Sequence, residues 1–261
     1  MTAFKNSAIA IIMVSMAVLL SSFKDGTKRN YYQFKIYTLE TEEQEARMDQ
    51  FLKKAYLPAL HRAGIEKVGV FKPIDKPEDD MNYLMVFIPL QNMHQVEELG
   101  KQLSEDKVYQ KEGKDYIQAP YDQAPYQRIE SILLKAFEAM PEYGVPEFDT
   151  PRSERVYELR SYESATEQLH ERKVEMFNKG ESELFINLGF QPIFFGDVIS
   201  GADMPNLMYL TTHANVEAQE KNWNAFRVHP DWLRMKAMER YLNTVSNSTK
   251  YYLYPTDYSD F

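Results

Sequence analysis

The chain of 261 residues contains an internal repeat. The segment Tyr32–Tyr37 (YQFKIY) recurs 125 residues later as Tyr157–Tyr162 (YELRSY), and Gly64 recurs at the same spacing as Gly189. A register that is kept over such a distance predicts a duplicated domain. Two copies of one fold in one chain can bury against each other a face that neither copy could bury alone.

Both copies show the same predicted order of strands and helices. Alternating and helical spacings of apolar residues predict strand, helix, strand, strand, helix and strand in the first copy, at residues 32–39, 42–62, 66–72, 83–90, 93–103 and 126–137. Near the end of the second helical region, Tyr109 is matched by Trp232, 123 residues later. This βαββαβ order is that of the ferredoxin-like unit.

Continuous apolar strands predict how the two copies meet. Tyr83–Ile88 and Pro192–Phe195 are apolar throughout, so both faces of these strands should be covered. Helices can cover one face, and the sheet of the other copy can cover the second. We therefore predict an α+β protein of two tandem ferredoxin-like units, packed sheet to sheet as a pseudo-dimeric α/β barrel. The predicted boundaries are a signal peptide at 1–22, a first domain at 31–138, a linker at 139–154 and a second domain at 155–255.

The N-terminal segment resembles a secretory signal. Lys5 precedes a run of 13 apolar residues, Ala8–Leu20, which is shorter than the roughly 20 residues that span a bilayer. We predict an exported protein, periplasmic or extracellular, of a Gram-negative bacterium, without integral membrane insertion after signal removal. An uncleaved membrane anchor is the alternative.

The composition limits the partners and cofactors that the chain is expected to bind. The formal charge is −9 and no basic run interleaves with aromatic residues, so nucleic acid is not expected as a partner. The chain has no cysteine, which excludes disulfides and thiol chemistry. No metal and no cofactor is predicted, because phosphate-binding glycine loops are absent and the histidines lack ligand spacing. They are His61, His94, His170, His213 and His229.

The second copy resembles a known family. Glu175–Glu181, Gly189–Gly196, Met204–Leu207 and Trp223–Trp232 occur in the order found in NIPSNAP domains. The first copy is similar to the same domain in a degenerate form. The resemblance implies a tandem, exported bacterial member of the dimeric α/β-barrel superfamily, whose relatives include haem-degrading monooxygenases. The implied roles of NIPSNAP proteins, in vesicular traffic and mitochondrial quality control in animals, specify no reaction.

One cluster of polar and aromatic residues is a candidate site. Glu181 and His229 are weak catalytic candidates as an acid/base pair, and Arg227 could hold an anion between the aromatic walls of Trp223 and Trp232. The alternative is structural: the aromatic side chains are core, and His229 and Arg227 fix a turn before a helix.

The first strand of the second copy supplies further ligand-binding candidates. Glu158, Arg160 and Tyr162 share one face, because strand side chains repeat every two residues. We expect them to line the barrel interior, where they either bind a ligand or form a satisfied network between the sheets.

Three functions remain open. The first is a binding or scaffolding protein whose ligand is a small apolar or aromatic molecule. The second is a cofactor-free or haem-dependent oxygenase or isomerase that uses Glu181 or His229 as base. The third is a self-associating structural module, and in each case copies of the chain can form a homo-oligomer.

Overall fold

The structure, a computed structural model, describes residues 28–75, 79 and 81–261. The predicted signal peptide at 1–22 lies outside the described residues. The eight strands are β1 Tyr31–Leu39, β2 Gly69–Pro73, β3 Asn82–Leu90, β4 Arg128–Ala136, β5 Val156–Glu163, β6 Gln191–Ser200, β7 Asn206–His213 and β8 Asn247–Pro255.

The helices lie between these strands in the order that the repeat predicts. They are α1 Glu42–Phe51, α2 Leu57–Arg62, α3 Met93–Glu105, α4 Lys107–Glu112, α5 Lys114–Ile117, α6 Glu167–Met176, α7 Ser182–Asn187, α8 Val216–Val228 and α9 Pro230–Lys236. Two π-helical turns, Leu52–Tyr56 and Phe177–Glu181, join α1 to α2 and α6 to α7. Within the described part of the chain, no helix has both the length and the apolar character needed to cross a membrane.

The strands form one closed antiparallel barrel. Its order is β1-β3-β2-β8-β5-β7-β6-β4, with β4 paired again to β1. Four strands come from each half of the chain, and the halves are joined at two seams, where β2 pairs with β8 and β4 pairs with β6. The predicted pseudo-dimeric barrel is therefore confirmed.

The duplication extends to the ends of the helices. Thr41 and Thr166, 125 residues apart, cap α1 and α6 by accepting a hydrogen bond from the backbone N–H three residues on. Both helices then pass through a π-helical turn at the same spacing. Gly64 and Gly189 follow the second helix of each pair with φ of 84° and 90°, a left-handed conformation that favours glycine.

Aromatic side chains fill the barrel interior. Phe87 of β3 stacks on Phe194 of β6 with ring centroids 5.0 Å apart, and Tyr32 of β1 lies 5.2 and 5.3 Å from these two rings. Burying a side chain of this size stabilises a fold by about 1.5–3 kcal/mol. The interior is therefore a packed core that holds the halves together.

The burial of strand β3 confirms that a continuously apolar strand is covered on both faces. Met85 and Phe87 point into the barrel, while Leu84, Val86 and Ile88 contact the helices. All five side chains are fully buried. Helices thus cover one face of the strand and the opposite sheet covers the other.

The expected direction of the polar residues on β5 is wrong. Tyr157 and Leu159 point into the barrel, and Glu158, Arg160 and Tyr162 point outward, toward the helices. The helices bury the outer face as well, so both sets of alternate residues are covered. The larger apolar side chains occupy the interior because that space offers no polar partner, whereas α6 and α8 bring polar groups to the outer face.

Candidate functional site

A buried carboxylate lies at the centre of the outer face of the second half. The Glu158 side chain is fully buried, and its Oε2 accepts hydrogen bonds from Nε1 of Trp223 at 2.6 Å and Nε2 of Gln219 at 2.8 Å. Its other oxygen, Oε1, accepts from Nε of Arg160 at 2.7 Å. Both carboxylate oxygens are therefore satisfied, as a buried charge requires.

Arg160 joins this carboxylate to the open edge of the site. Its guanidinium lies 4.0 Å above the ring of Trp223, and Nη2 lies 2.6 Å from Oε1 of Glu158. Nη1 donates to the hydroxyl of Tyr162 at 3.2 Å. The side chain keeps 19% of its surface exposed, and across the strand pair it faces Lys250 of β8, which is exposed. The guanidinium is thus held flat with one edge toward solvent.

Two tyrosines extend the network across the sheet. The hydroxyls of Tyr162 and Tyr209 lie 2.7 Å apart. Burial raises the pKa of Tyr209 well above its ordinary value, so this phenol stays protonated at neutral pH. Tyr209 therefore adds an uncharged hydrogen-bonding group beside Tyr162.

A second pair of charges lies beneath the helices. Nζ of Lys173, on α6, lies 2.7 Å from Oε2 of Glu181, and both side chains are buried. The ammonium also packs against the rings of Phe177, Trp232 and Tyr162, at 4.7, 5.5 and 5.7 Å from their centroids. The pKa of Glu181 is raised, because the cost of burial exceeds the attraction of Lys173.

The π-helical turn explains how Glu181 reaches Lys173. Residues eight positions apart in a regular α-helix point about a quarter of a turn away from each other. The turn Phe177–Glu181 contains one extra residue per turn and brings the two side chains to one face. Gly180 within it has φ of 157°, which only glycine adopts readily.

The neutral histidine beside Glu158 completes the cluster. Nδ1 of His213 lies 3.2 Å from Nδ2 of Asn222, and Nε2 lies 4.0 Å from Oε2 of Glu158. Burial lowers the pKa of His213 from 6.5 to about 4. This ring is therefore uncharged at neutral pH and acts as a polar wall.

The structure separates the remaining sequence-predicted residues. His229 begins α9, its Nδ1 accepting from the backbone N–H of Asp231 at 3.2 Å, so its partner is this helix start. Arg227 is exposed and donates to Oδ1 of Asn224 at 2.7 Å. Trp232 packs on Phe226, with 4.6 Å between centroids. Glu181 bonds to Lys173, and the predicted acid/base pair with His229 is not formed.

Sequence reasoning missed Lys173, Tyr209, Gln219 and His213. Lysine and glutamine on amphipathic helices ordinarily face water, so their type gave no signal. The spacing did contain a signal for Gln219, because this residue lies one helical turn before Trp223 and therefore on the same face of the helix. If Trp223 had been predicted to pack on the strand that contains Glu158, the hydrogen-bond network on the outer face could have been predicted as well.

The histidines have different surroundings in the structure. His61 is paired with Asp260, His170 with Asp197, and His94 is exposed on α3. His213 is enclosed by Asn222 and the ring of Phe190. Among the described residues, no group of three or more acidic or histidine side chains could hold a metal ion.

The fold belongs to a class of solved barrels. A candidate monooxygenase from Fusobacterium nucleatum has a TM-score of 0.58 at 7% identity, with 88% of this chain and 93% of that chain covered. A candidate monooxygenase from Lactobacillus acidophilus has a TM-score of 0.55 at 12% identity, covering 87% and 94%. An anthrone oxidase-like protein has a TM-score of 0.52 at 10% identity, covering 88% and 93%. At such identities the likeness shows the fold alone.

The family match falls on the half of the chain that contains the network. The NIPSNAP family model matches residues 157–260, as the motifs of the second copy predict. That the first half is a degenerate copy of the same family stays a prediction. No curated protein matches the chain.

Proposed function

We propose that this chain binds a small aromatic molecule with a polar or negative group on the outer face of the second half, beside Arg160. The observation that supports this most directly is the guanidinium itself. Arginine has five N–H donors, and three of them are directed to Glu158 and Tyr162. The other two are free to bind an acceptor on a ligand at the exposed edge.

The surroundings of Arg160 favour a ligand with a polar or negative group. Lys250 stands directly opposite on β8, and like charges across a strand pair destabilise a sheet. Glu158 compensates Arg160, whereas Lys250 forms no ion pair among the described residues: it donates to the hydroxyl of Tyr252 at 3.1 Å and lies 4.6 Å from the centre of that ring. An acceptor placed between the two cations would relieve this repulsion, while Tyr162 offers an aromatic surface.

Native mass spectrometry of the protein purified from its own host tests the proposal. We expect a small molecule to remain bound to the natural protein and to an Arg234→Met control, in which an exposed arginine is removed. The double variant Glu158→Gln/Arg160→Gln removes both charges without leaving either one buried alone, and should lose that molecule. Equal retention in the double variant would overturn the assignment to Arg160.

A second function, that of an enzyme, is favoured by the Lys173–Glu181 pair. Buried ionisable groups with displaced pKa values occur often at catalytic sites, and a raised pKa makes Glu181 a stronger base than an ordinary carboxylate. Because one similar structure is called anthrone oxidase-like, anthrone is a reasonable probe. Its methylene would lose one proton to Glu181, and the carbanion would add dioxygen to form a hydroperoxide. Loss of water, which takes the second methylene hydrogen and one oxygen atom, then leaves the other oxygen atom as the new carbonyl of anthraquinone.

The rate of anthraquinone formation tests this alternative. We expect acceleration by the natural protein and by Glu183→Gln, which removes an exposed carboxylate two positions away, and none by Glu181→Gln. Equal rates for the two variants would exclude Glu181 as the base.

We also propose that the protein is exported. The support is the sequence of residues 1–22, with its lysine and apolar run. Protein from the host should begin after residue 22 when its N-terminus is sequenced. An intact Met1 in a membrane fraction would favour the uncleaved anchor instead.

A further inference from the structure

The first half has a basic residue at the position equivalent to Arg160. Lys35 lies on β1, 125 residues before Arg160, and points outward under the first pair of helices. Its Nζ donates to the hydroxyl of Tyr56 at 2.9 Å and lies 5.0 Å from the centre of the same ring. Tyr56 ends the first π-helical turn, as Glu181 ends the second.

The charge balance differs between the two positions. Arg160 has Glu158 beside it, but the residue equivalent to Glu158 is Gln33, whose amide donates to Ser131. Among the described residues, no carboxylate forms an ion pair with Lys35. Burial lowers the pKa of this lysine, which reflects a cation that lacks a full counter-charge.

A cleft lined by tyrosines lies in the same half of the chain. It has a volume of about 570 Å³ and is walled by Tyr109, Tyr116, Tyr121 and Tyr126, with two prolines at its rim. None of its lining side chains is a carboxylate, although the chain as a whole has a formal charge of −9. The volume suits a small ligand of one or two aromatic rings.

Aromatic packing fixes the positions of Tyr116 and Tyr126, whereas Tyr121 is almost fully exposed. Tyr116 stacks on Phe51 with 3.7 Å between centroids and 7° between planes, and Tyr126 meets Tyr37 edge to face at 5.4 Å. Tyr116 and Tyr126 are 5.9 Å apart. Burial raises the pKa of Tyr116, and the neighbouring hydroxyls of Tyr37 and Tyr126 raise it further. Tyr116 and Tyr126 line the cleft and offer it two phenolic donors, whereas Tyr37 is buried and does not line it.

Packing links Lys35 to the cleft. Lys35 and Tyr37 lie two residues apart on the outward face of β1, and Tyr37 packs 5.4 Å from Tyr126, which lines the cleft. Tyr56, the partner of Lys35, packs 6.3 Å from Tyr109, another lining residue. A negative group bound by the tyrosine hydroxyls would therefore lie on the same side of β1 as this cation. Hydrogen bonds to a charged group are about twice as strong as those between neutral groups.

We propose that the cleft of Tyr109, Tyr116, Tyr121 and Tyr126 is a binding site for a small aromatic anion, such as an aromatic carboxylate or phenolate. The ligand ring packs among the tyrosines, and its negative group accepts hydrogen bonds from the hydroxyls of Tyr116 and Tyr126. Lys35 supplies the counter-charge. This site is independent of the site beside Arg160 and does not require it.

Titration with 2-naphthoate and its uncharged analogue 2-naphthamide tests the proposal by calorimetry. The natural protein should bind naphthoate at least about tenfold more tightly than naphthamide, as the loss of a charged hydrogen-bond acceptor implies. Lys35→Met should abolish this preference while keeping the affinity for naphthamide. Lys135→Met, at the far end of β4 from the cleft, is the matched control and should keep the preference.

Two further variants separate structural damage from loss of the site. Tyr116→Phe keeps the stacked ring and removes one donor, so it should weaken naphthoate binding more than naphthamide binding, because the amide carbonyl is an uncharged acceptor. Glu158→Gln/Arg160→Gln should leave both affinities unchanged, which distinguishes this site from the proposed site in the second half. Equal affinity for the two probes in the natural protein, or no binding of either, would overturn the proposal. A preference for naphthoate that survives in Lys35→Met would also overturn it.

Discussion

Nε1 of Trp223 donates to Oε2 of Glu158 at 2.6 Å, and this contact ties helix α8 to strand β5 across the outer face of the barrel. The indole is also the surface on which the guanidinium of Arg160 rests. One side chain therefore positions both charges of the network, the carboxylate by a hydrogen bond and the arginine by contact with its ring.

Replacing Trp223 with phenylalanine should be costly for this reason. The ring contact is largely kept, but the buried carboxylate loses one of its donors, which costs about 1–3 kcal/mol. Urea unfolding should show a lowered midpoint with an unchanged slope. Trp232→Phe is the control, since Trp232 is only partly buried and contacts Phe226 through its ring. Equal losses in the two variants would mean that the hydrogen bond contributes nothing beyond packing.

Removing Lys173 should destabilise the fold strongly, since it leaves Glu181 buried without its cation. Breaking a buried pair in this way typically costs about 3–5 kcal/mol, whereas removing both charges is often close to neutral. Lys173→Met should therefore be much less stable than Lys173→Met/Glu181→Gln in denaturant. Lys179→Met, which breaks an exposed pair with Glu175, should cost less than about 1 kcal/mol.

The same lysine variant has a defined dependence on pH. The pKa of Glu181 is already raised in the folded protein, and such a group favours folding below its unfolded pKa and loses that contribution as pH rises through the folded pKa. Without Lys173 the shift should grow. The loss of unfolding free energy in Lys173→Met, relative to the natural protein, should then be smaller at pH 5 than at pH 8. A loss that does not change with pH would contradict this account.

His213 should make the protein sensitive to acid. Its pKa is lowered from 6.5 to about 4 by burial, so the unfolded chain takes up the proton first as pH falls. Stability should therefore drop between pH 6.5 and pH 4, by an amount of the order of 3 kcal/mol from this group. His213→Gln should flatten the profile in that window, whereas His94→Gln, at an exposed position, should not.

Two glycines should respond to alanine in opposite directions. Gly64 has φ of 84° and nothing within 4 Å of an added Cβ, so Gly64→Ala should lose about 1–2 kcal/mol from the backbone conformation alone. Gly100 lies within α3 with the same open space, so Gly100→Ala should gain about 0.5–1 kcal/mol. Thermal unfolding of the two variants measures both signs at once.

The repeat and the apolar strands were enough to predict the architecture. The spacing of 125 residues between Gly64 and Gly189 is the spacing of the two left-handed helix ends, and the unbroken apolar run of β3 reports that both its faces are covered. Both signals were reliable because a left-handed backbone conformation favours glycine and burial on both faces favours apolar residues, so residue type alone indicates them.

The direction of Glu158 could not be read in the same way. A period of two separates it from Tyr157 but does not say which set faces the barrel when both faces are covered. The π-helical turns were also missed, since a single extra residue in a helix leaves little trace in apolar spacing. A regular α-helix would place Glu181 and Lys173 on different faces, so the sequence did not predict their contact.

Closure of the barrel limits how this protein can meet others. Because β2 pairs with β8 and β4 pairs with β6, every strand that the structure describes already has a neighbour on each side, and these strands offer no row of unsatisfied donors and acceptors to an incoming strand. We therefore expect a second copy of the chain to attach to the barrel through helix surfaces and loops, where side chains decide which partner fits.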